Sequence, residues 1–183
     1  MQPPSDPVQK SLMVRRIEFE SPEYWEFFRI RQSELHRPIG LTYSEAERGA
    51  ERVCLHLVVQ GRRSRERGSG PRVQTVRADE EGSSPEGSGD AVVLGGALLS
   101  PWSDHALKMR QVAVALDSRE QGMGRVLVRA AEEVARELGY EWIVAHARAK
   151  VVPFYEKLGY SVRRASFQEV GILHRLVLRR LFV

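Results

Sequence analysis

The chain has 183 residues, 42% hydrophobic and 28% charged, which fits one compact domain with a real core and excludes global disorder, collagen-like repeats and disulfide scaffolds. Its 28 basic and 24 acidic residues give a formal charge of +4, which by itself invites a nucleic-acid reading. Only four of those cations are lysines (Lys10, Lys108, Lys150 and Lys157), and the arginines are scattered rather than blocked, so no nucleic-acid partner is expected.

Residues 1–11 read as an N-terminal tail without the basic and then apolar regions of a secretory leader, and no run approaches about 18 apolar residues. A soluble cytoplasmic protein with no membrane association is the expectation. A strand over 12–19 is followed by Ser21-Pro22, which suits an N-cap and first helical residue, so a helix should run from Pro22 to about His36. Its apolar face would be Trp25, Phe27, Phe28 and Leu35, and Pro38-Ile39-Gly40 ends it.

A second strand spans 53–59. It holds Cys54, the single cysteine, so no intrachain disulfide can form; with no Cys-x-x-Cys pair, no metal is expected. Residues 61–90 shift to Gly, Ser, Arg and Glu and read as one polar, flexible surface insertion. Gly61 to Arg77 carries six arginines and one acid, and Ala78 to Asp90 carries five acids and no base, so the insertion is neutral in sum. A third strand, 91–99, contains Gly95-Gly96 and should form an antiparallel hairpin with 107–116 through a turn at Pro101-Trp102-Ser103-Asp104.

Met123, Val126, Leu127, Ala130, Ala131, Val134, Ala135 and Leu138 then recur at helical spacing, with Gly139 where a C′ glycine belongs. Trp142 to Ala147 reads as a strand parallel to 107–116, completing a right-handed βαβ crossover. A short helix over 151–158, Gly159, a strand over 160–167 and a last strand over 172–183 repeat the pattern. About seven strands with interspersed helices give an α+β single domain over 12–183, and the last strand is expected to leave an edge exposed for pairing.

The chemistry concentrates between strand and helix at Arg119-Glu120-Gln121-Gly122-Met123-Gly124-Arg125. Two glycines at a helix N-terminus leave backbone N–H groups open, and the helix dipole adds partial positive charge, so this is a seat for an anion such as a pyrophosphate. Arg119 and Arg125 stand ready to add charge-assisted contacts. No Gly-Lys-Ser/Thr triplet is present, and Leu127 stands where a dinucleotide fingerprint needs its third glycine. A purely structural loop remains the alternative from spacing alone.

Arg110 to Val114, Arg119 to Gly124, His146-Ala147-Arg148 and Phe154 to Tyr160 together resemble the GCN5-related N-acetyltransferase (GNAT) family, with Arg119, Gly122 and Gly124 matching its Arg/Gln-x-x-Gly-x-Gly/Ala motif. The resemblance implies a mixed, mostly antiparallel sheet with one splayed parallel pair. It also implies acetyl-coenzyme A (acetyl-CoA) as cosubstrate, its pyrophosphate on the amides of Glu120, Gln121, Gly122, Met123, Gly124 and Arg125 and its pantetheine along Val112, Ala113 and Val114. Tyr155 falls where the family places its general acid. Arg148 replaces an asparagine often found there, and its longer side chain can reach a cofactor phosphate or an acidic substrate.

The expected reaction is direct acetyl transfer to an amine in a ternary complex, by a monomer or homodimer; the alternative is a regulatory module that binds acetyl-CoA without turnover. His146, expected beside Tyr155, is a base candidate, with a satisfied core histidine the competing reading. Glu169 and His174 resemble an acceptor-side hairpin seen in some family members. The family resemblance also puts the helix over 22–36 and residues 37–41 beside the acceptor. Glu34, Glu45 and Glu47 are candidates to receive a cationic amine. Cys54, between Val53 and Leu55, reads as an inert buried thiol.

Overall fold

A computed structural model of the chain describes residues 11–61, 72–75 and 91–182. In chain order these form β1 (Ser11–Ile17), α1 (Pro22–Arg31), α2 (Glu45–Gly49), β2 (Leu55–Gly61), β3 (Arg72–Thr75), β4 (Val92–Ser103), β5 (Ala106–Val114), α3 (Met123–Glu137), β6 (Trp142–Arg148), α4 (Val152–Lys157), β7 (Ser161–Glu169) and β8 (Ile172–Arg180). The strands make one sheet in the order β3-β1-β2-β4-β5-β6-β8-β7. Neighbours are antiparallel except β1–β3 and β5–β6.

Strand alternation sorts the core into two layers. Leu57, Val59, Leu107, Met109, Ile143 and Ala145 meet α3 and α4 on one face. Val58, Leu98 and Ala113 meet Phe27 of α1 on the other. The stripe on α3 docks as its spacing requires, with Met123, Leu127, Ala130, Ala131, Val134 and Ala135 buried. Leu138 stays half exposed because it already caps the helix end. Both Leu-Gly-Tyr triplets close their helices alike: Gly139 and Gly159 take positive φ, and the amides of Tyr140 and Tyr160 donate back to the carbonyls of Ala135 and Tyr155.

Four expectations need correction. The segment 61–90 is not all loop, since Arg72–Thr75 adds a strand parallel to β1, from Ser11↔Arg72 to Val14↔Thr75; the rest of 62–90 lies outside the described residues, as does the N-terminal tail to residue 10. An unpaired edge of β1 recruits backbone whatever its side chains. β4 runs on through the expected turn as far as Ser103. The last strand is no edge either: β8 lies between β6 and β7, because it carries the buried His174 and Val177, whereas β7 is largely exposed. Finally, α1 buries Tyr24, Phe27 and Arg31 rather than Trp25, and its last turn widens into a π-helical turn over 32–36. Ser21 caps it as expected, its Oγ accepting from the Tyr24 amide at 3.2 Å.

Candidate active site at the splayed strands

The sheet opens where β5 meets β6. They are in register from Ala106↔Trp142 to Met109↔Ala145 and no further, although β5 continues to Val114 and β6 to Arg148. On the other side of β5, Leu98 pairs with Arg110 and Gly96 with Ala113, so Gln111 and Val112 together face Ala97 alone. This is a β-bulge, and it bends the strand away from its neighbour. Gln111 takes φ +50°, sparsely populated for a residue with a side chain. The glycine pair in β4 is a matter of space: a Cβ on Gly95 would lie 2.5 Å from the Ala113 carbonyl oxygen, and one on Gly96 2.9 Å from the Phe27 ring. Ala113 is buried on the α1 side, while Val112 and Val114 pack half-buried on the α3 side.

The loop from β5 to α3 leads into a helix start without a side-chain cap. Gly122 sits at φ +82° as N-cap, with no side chain capping the first helical turn. Nothing lies within 4 Å of where its Cβ would be, so the turn is open above it. Glu120 also has positive φ, and the Gln121 side-chain amide donates to the Asp117 carbonyl at 3.2 Å. Gly124 packs closely on α4: its Cβ would stand 3.3 Å from the Phe154 ring, which would have to give by a few tenths of an ångström. Arg125 is exposed near this turn. Arg119 is already engaged: its guanidinium pairs with Glu34, and its Nε donates to the Val114 carbonyl at 3.3 Å. Gly122→Ala is expected to cost about 1–2 kcal/mol from the left-handed backbone alone, read as a lowered unfolding midpoint.

Tyr155 is buried on α4 with Phe154 and Tyr160 at 5.1 and 5.3 Å between ring centroids, and burial pushes its phenol well above the usual value. It lies on the α3 side with Ala145 and Ala147. His146 is therefore not beside it, because alternation along β6 turns His146 to the opposite face.

On that face His146 and Glu169 do meet, Nδ1 lying 2.7 Å from the carboxylate. Burial would raise the Glu169 carboxyl, but the His146 contact and the nearby Lys108 hold it below the ordinary value, so it is ionised at neutral pH. A carboxylate only accepts, so in this contact Nδ1 is the donor. The imidazole is wedged edge-on between Trp102 and Phe167, at 5.4 and 4.7 Å. Lys108 Nζ lies 3.2 Å from Nδ1 and 4.5 Å from the Trp102 ring centre, and burial lowers its pKa.

His174 does not join the pair: it is buried, its Nδ1 donates to the Ile172 carbonyl of its own strand at 2.8 Å, and its ring stacks on Phe167. Arg148 donates to the Leu35 carbonyl at 2.8 Å, tying the end of β6 to the turn after α1. Glu47 is used in a capping box with Ser44, and Glu34 in its pair with Arg119; Glu45 is exposed. Burial raises the Cys54 thiol, consistent with an inert side chain. No group of three or more acid, histidine or cysteine residues is arranged for a metal among the described residues.

Sequence reasoning missed a buried polar hub. Arg31 and Glu51 form a two-pronged pair at 2.5 and 2.9 Å, and Tyr24 and Tyr43 donate their hydroxyls to the same carboxylate at 2.9 and 2.5 Å. Gln111 completes it, bonded to both Arg31 and Tyr43.

The sequence profile of the acetyltransferase (GNAT) domain matches residues 77–162. The uncharacterized N-acetyltransferase YjcF of Bacillus subtilis (strain 168) is 30% identical over 108 residues, covering 55% of this chain and 77% of that protein. The chain belongs to the GNAT family. A second relative, YyaT from the same bacterium, is 29% identical over 97 residues, which are 53% of this chain and 60% of YyaT, so the match spans little more than half of that relative. Among solved GNAT structures, one from Elizabethkingia anophelis with acetyl-CoA bound superposes with TM-score 0.59 at 13% identity, covering 92% of this chain and 97% of that one. That likeness carries the GNAT fold. Among the described residues no helix is long and apolar enough to cross a membrane.

Proposed function

We propose that the protein transfers the acetyl group of acetyl-CoA to an amine, directly and in a ternary complex. The observation that carries this reading is the division of labour across the splay, with the His146–Glu169 pair on one face of the sheet and Tyr155 on the other. An acetyl group presented in the gap is then reached by an amine from the His146 side and by a proton from the Tyr155 side. Bound acetyl-CoA supplies an activated thioester. Its pyrophosphate suits the uncapped amides at the start of α3, and its pantetheine amides suit β5 from Val112 to Val114, where pairing to β6 has ended.

The residues then act in order. An ammonium acceptor must lose a proton before its nitrogen can attack, and His146 Nε2 takes it, with Glu169 fixing the tautomer. As the new N–C bond forms and the C–S bond breaks, Tyr155 gives its proton to the leaving thiolate; the nitrogen sheds its second proton to solvent as it becomes an amide, and the phenol takes a proton back from solvent before the next turnover. Arg119 keeps the loop before α3 in place through Glu34 and Val114.

The test is release of free thiol from acetyl-CoA in the presence of polyamines, aminoglycosides, amino acids or peptide amines. Release that depends on one acceptor class is expected, and His146→Ala should lower it by about 10²-fold, the scale of one general base. Tight binding of acetyl-CoA with no amine-dependent release would replace transfer by regulatory binding without turnover. Ping-pong kinetics abolished by Cys54→Ala would overturn direct transfer.

A further inference from the structure

We infer that Gln111 is a positioning residue, clamped from the α1 side so that the main chain at the mouth of the splay keeps one course, and that the buried Arg31–Glu51 pair serves to hold that clamp. The inference rests on acetyl-CoA being the molecule that enters the splay, and it goes further by naming what sets the shape of the opening.

Both ends of the Gln111 amide are engaged. Its Oε1 accepts from Arg31 Nη1 at 2.6 Å, and its Nε2 donates to Tyr43 Oη at 2.5 Å. With both ends held, the side chain cannot turn without breaking a bond, and its φ of +50° fixes the backbone above it. Neither Gln111 nor Val112 is in register with a residue of β4 or β6, so nothing in the sheet itself dictates how this stretch is oriented. The side-chain clamp supplies what the ladder does not.

The clamp is anchored by groups that make little sense as packing alone. Arg31 is fully buried and Glu51 nearly so. A buried ion pair is often no more stable than apolar residues of the same size. Here every acceptor position on Glu51 is used, by two Arg31 nitrogens and two tyrosine hydroxyls, and Tyr43 passes the order on by accepting from Gln111 while it donates to Glu51. The rings of Phe27 and Phe28 flank the guanidinium at 4.9 and 5.3 Å. His36, at the end of the turn expected to border the acceptor, packs on Tyr43 at 4.8 Å. The acceptor wall and the bulge are thus held by one set of contacts. Strained, over-determined backbone of this kind gathers at functional sites.

Gln111→Gly separates positioning from stability, because glycine accepts positive φ without strain. Relief of that strain offsets part of the loss of the two side-chain bonds, so the melting midpoint should move little. Amides from 109 to 114 should exchange with solvent faster, while those of α3 are unchanged. In calorimetry CoA and acetyl-CoA, which share the pantetheine proposed to lie along this strand, should both bind about fivefold more weakly, the worth of one aimed hydrogen bond. Parental exchange rates in the Gln111→Gly strand would overturn the clamp whatever the protein binds. Parental affinity for both molecules in the variant would overturn the clamp's role toward the ligand. Failure of the parent protein to bind either molecule would overturn the acetyl-CoA reading, and the exchange measurement would still decide on the clamp.

Discussion

Tyr155→Phe is expected to lower turnover by about 10²-fold or more, the scale of one positioned general acid, and to leave acetyl-CoA affinity nearly unchanged. The substitution removes only the hydroxyl. The ring keeps its contacts with Phe154 and Tyr160, so the unfolding midpoint should hardly move. Burial raises the phenol, which keeps its proton in place at any working pH. A thiolate leaving into the same dry surroundings is raised by the same desolvation, so the proton still has somewhere to go. Unaltered turnover in Tyr155→Phe would sink the assignment, and steady-state rates at saturating acetyl-CoA are enough to see it.

The largest expected effect on stability is at Glu51. Glu51→Gln leaves the fully buried Arg31 without its counter-charge, a change that costs about 3–5 kcal/mol when a buried pair is broken from one side. For a chain of this length that corresponds to a midpoint lowered by roughly 6–20 °C. The pH dependence has a definite sign. Burial would raise the Glu51 carboxyl, yet Arg31 and the two tyrosine hydroxyls hold it below its ordinary 4.5. A carboxyl depressed on folding contributes stability that is fully present above that ordinary value and is lost as pH falls through the lower, folded one. The parent protein should therefore lose this contribution on the acid side, and Glu51→Gln should show a flatter acid limb. A variant that melts like the parent at pH 7 would remove the hub from any account of this fold.

Local patterns were legible where the information is local. The stripe on α3 and the two Leu-Gly-Tyr joints follow from residues within one or two turns of each other, and the crossover follows from their order. The edge of the sheet was not legible, because both β7 and β8 alternate acceptably and only tertiary burial of Val177 and His174 places β8 inside. β3 depends on the free edge of β1, some 60 residues away in sequence, and so leaves little mark on its own composition.

At the site, the uncapped start of α3 was readable from Gly122 and Gly124, and His146 and Glu169 were singled out separately, Glu169 beside His174, but the meeting of His146 with Glu169 was not. Lys108 and Trp102 were not, one reading as an ordinary strand lysine and the other as part of a turn. Arg31 was least legible of all. An arginine on a helix reads as surface, and its partner Glu51 is 20 residues away across a turn.

The seam between β5 and β6 has a mechanical consequence. One half of the sheet, from β3 to β5, is stitched to the other, from β6 to β7, by a parallel seam only four residues long. A molecule that hydrogen-bonds along the rest of that seam does more than occupy a pocket: it becomes the missing length of stitching between two half-sheets. Ligand occupancy and the cohesion of the two halves are then linked, so the protein should be most rigid as one sheet when that seam is occupied and most willing to part when it is empty.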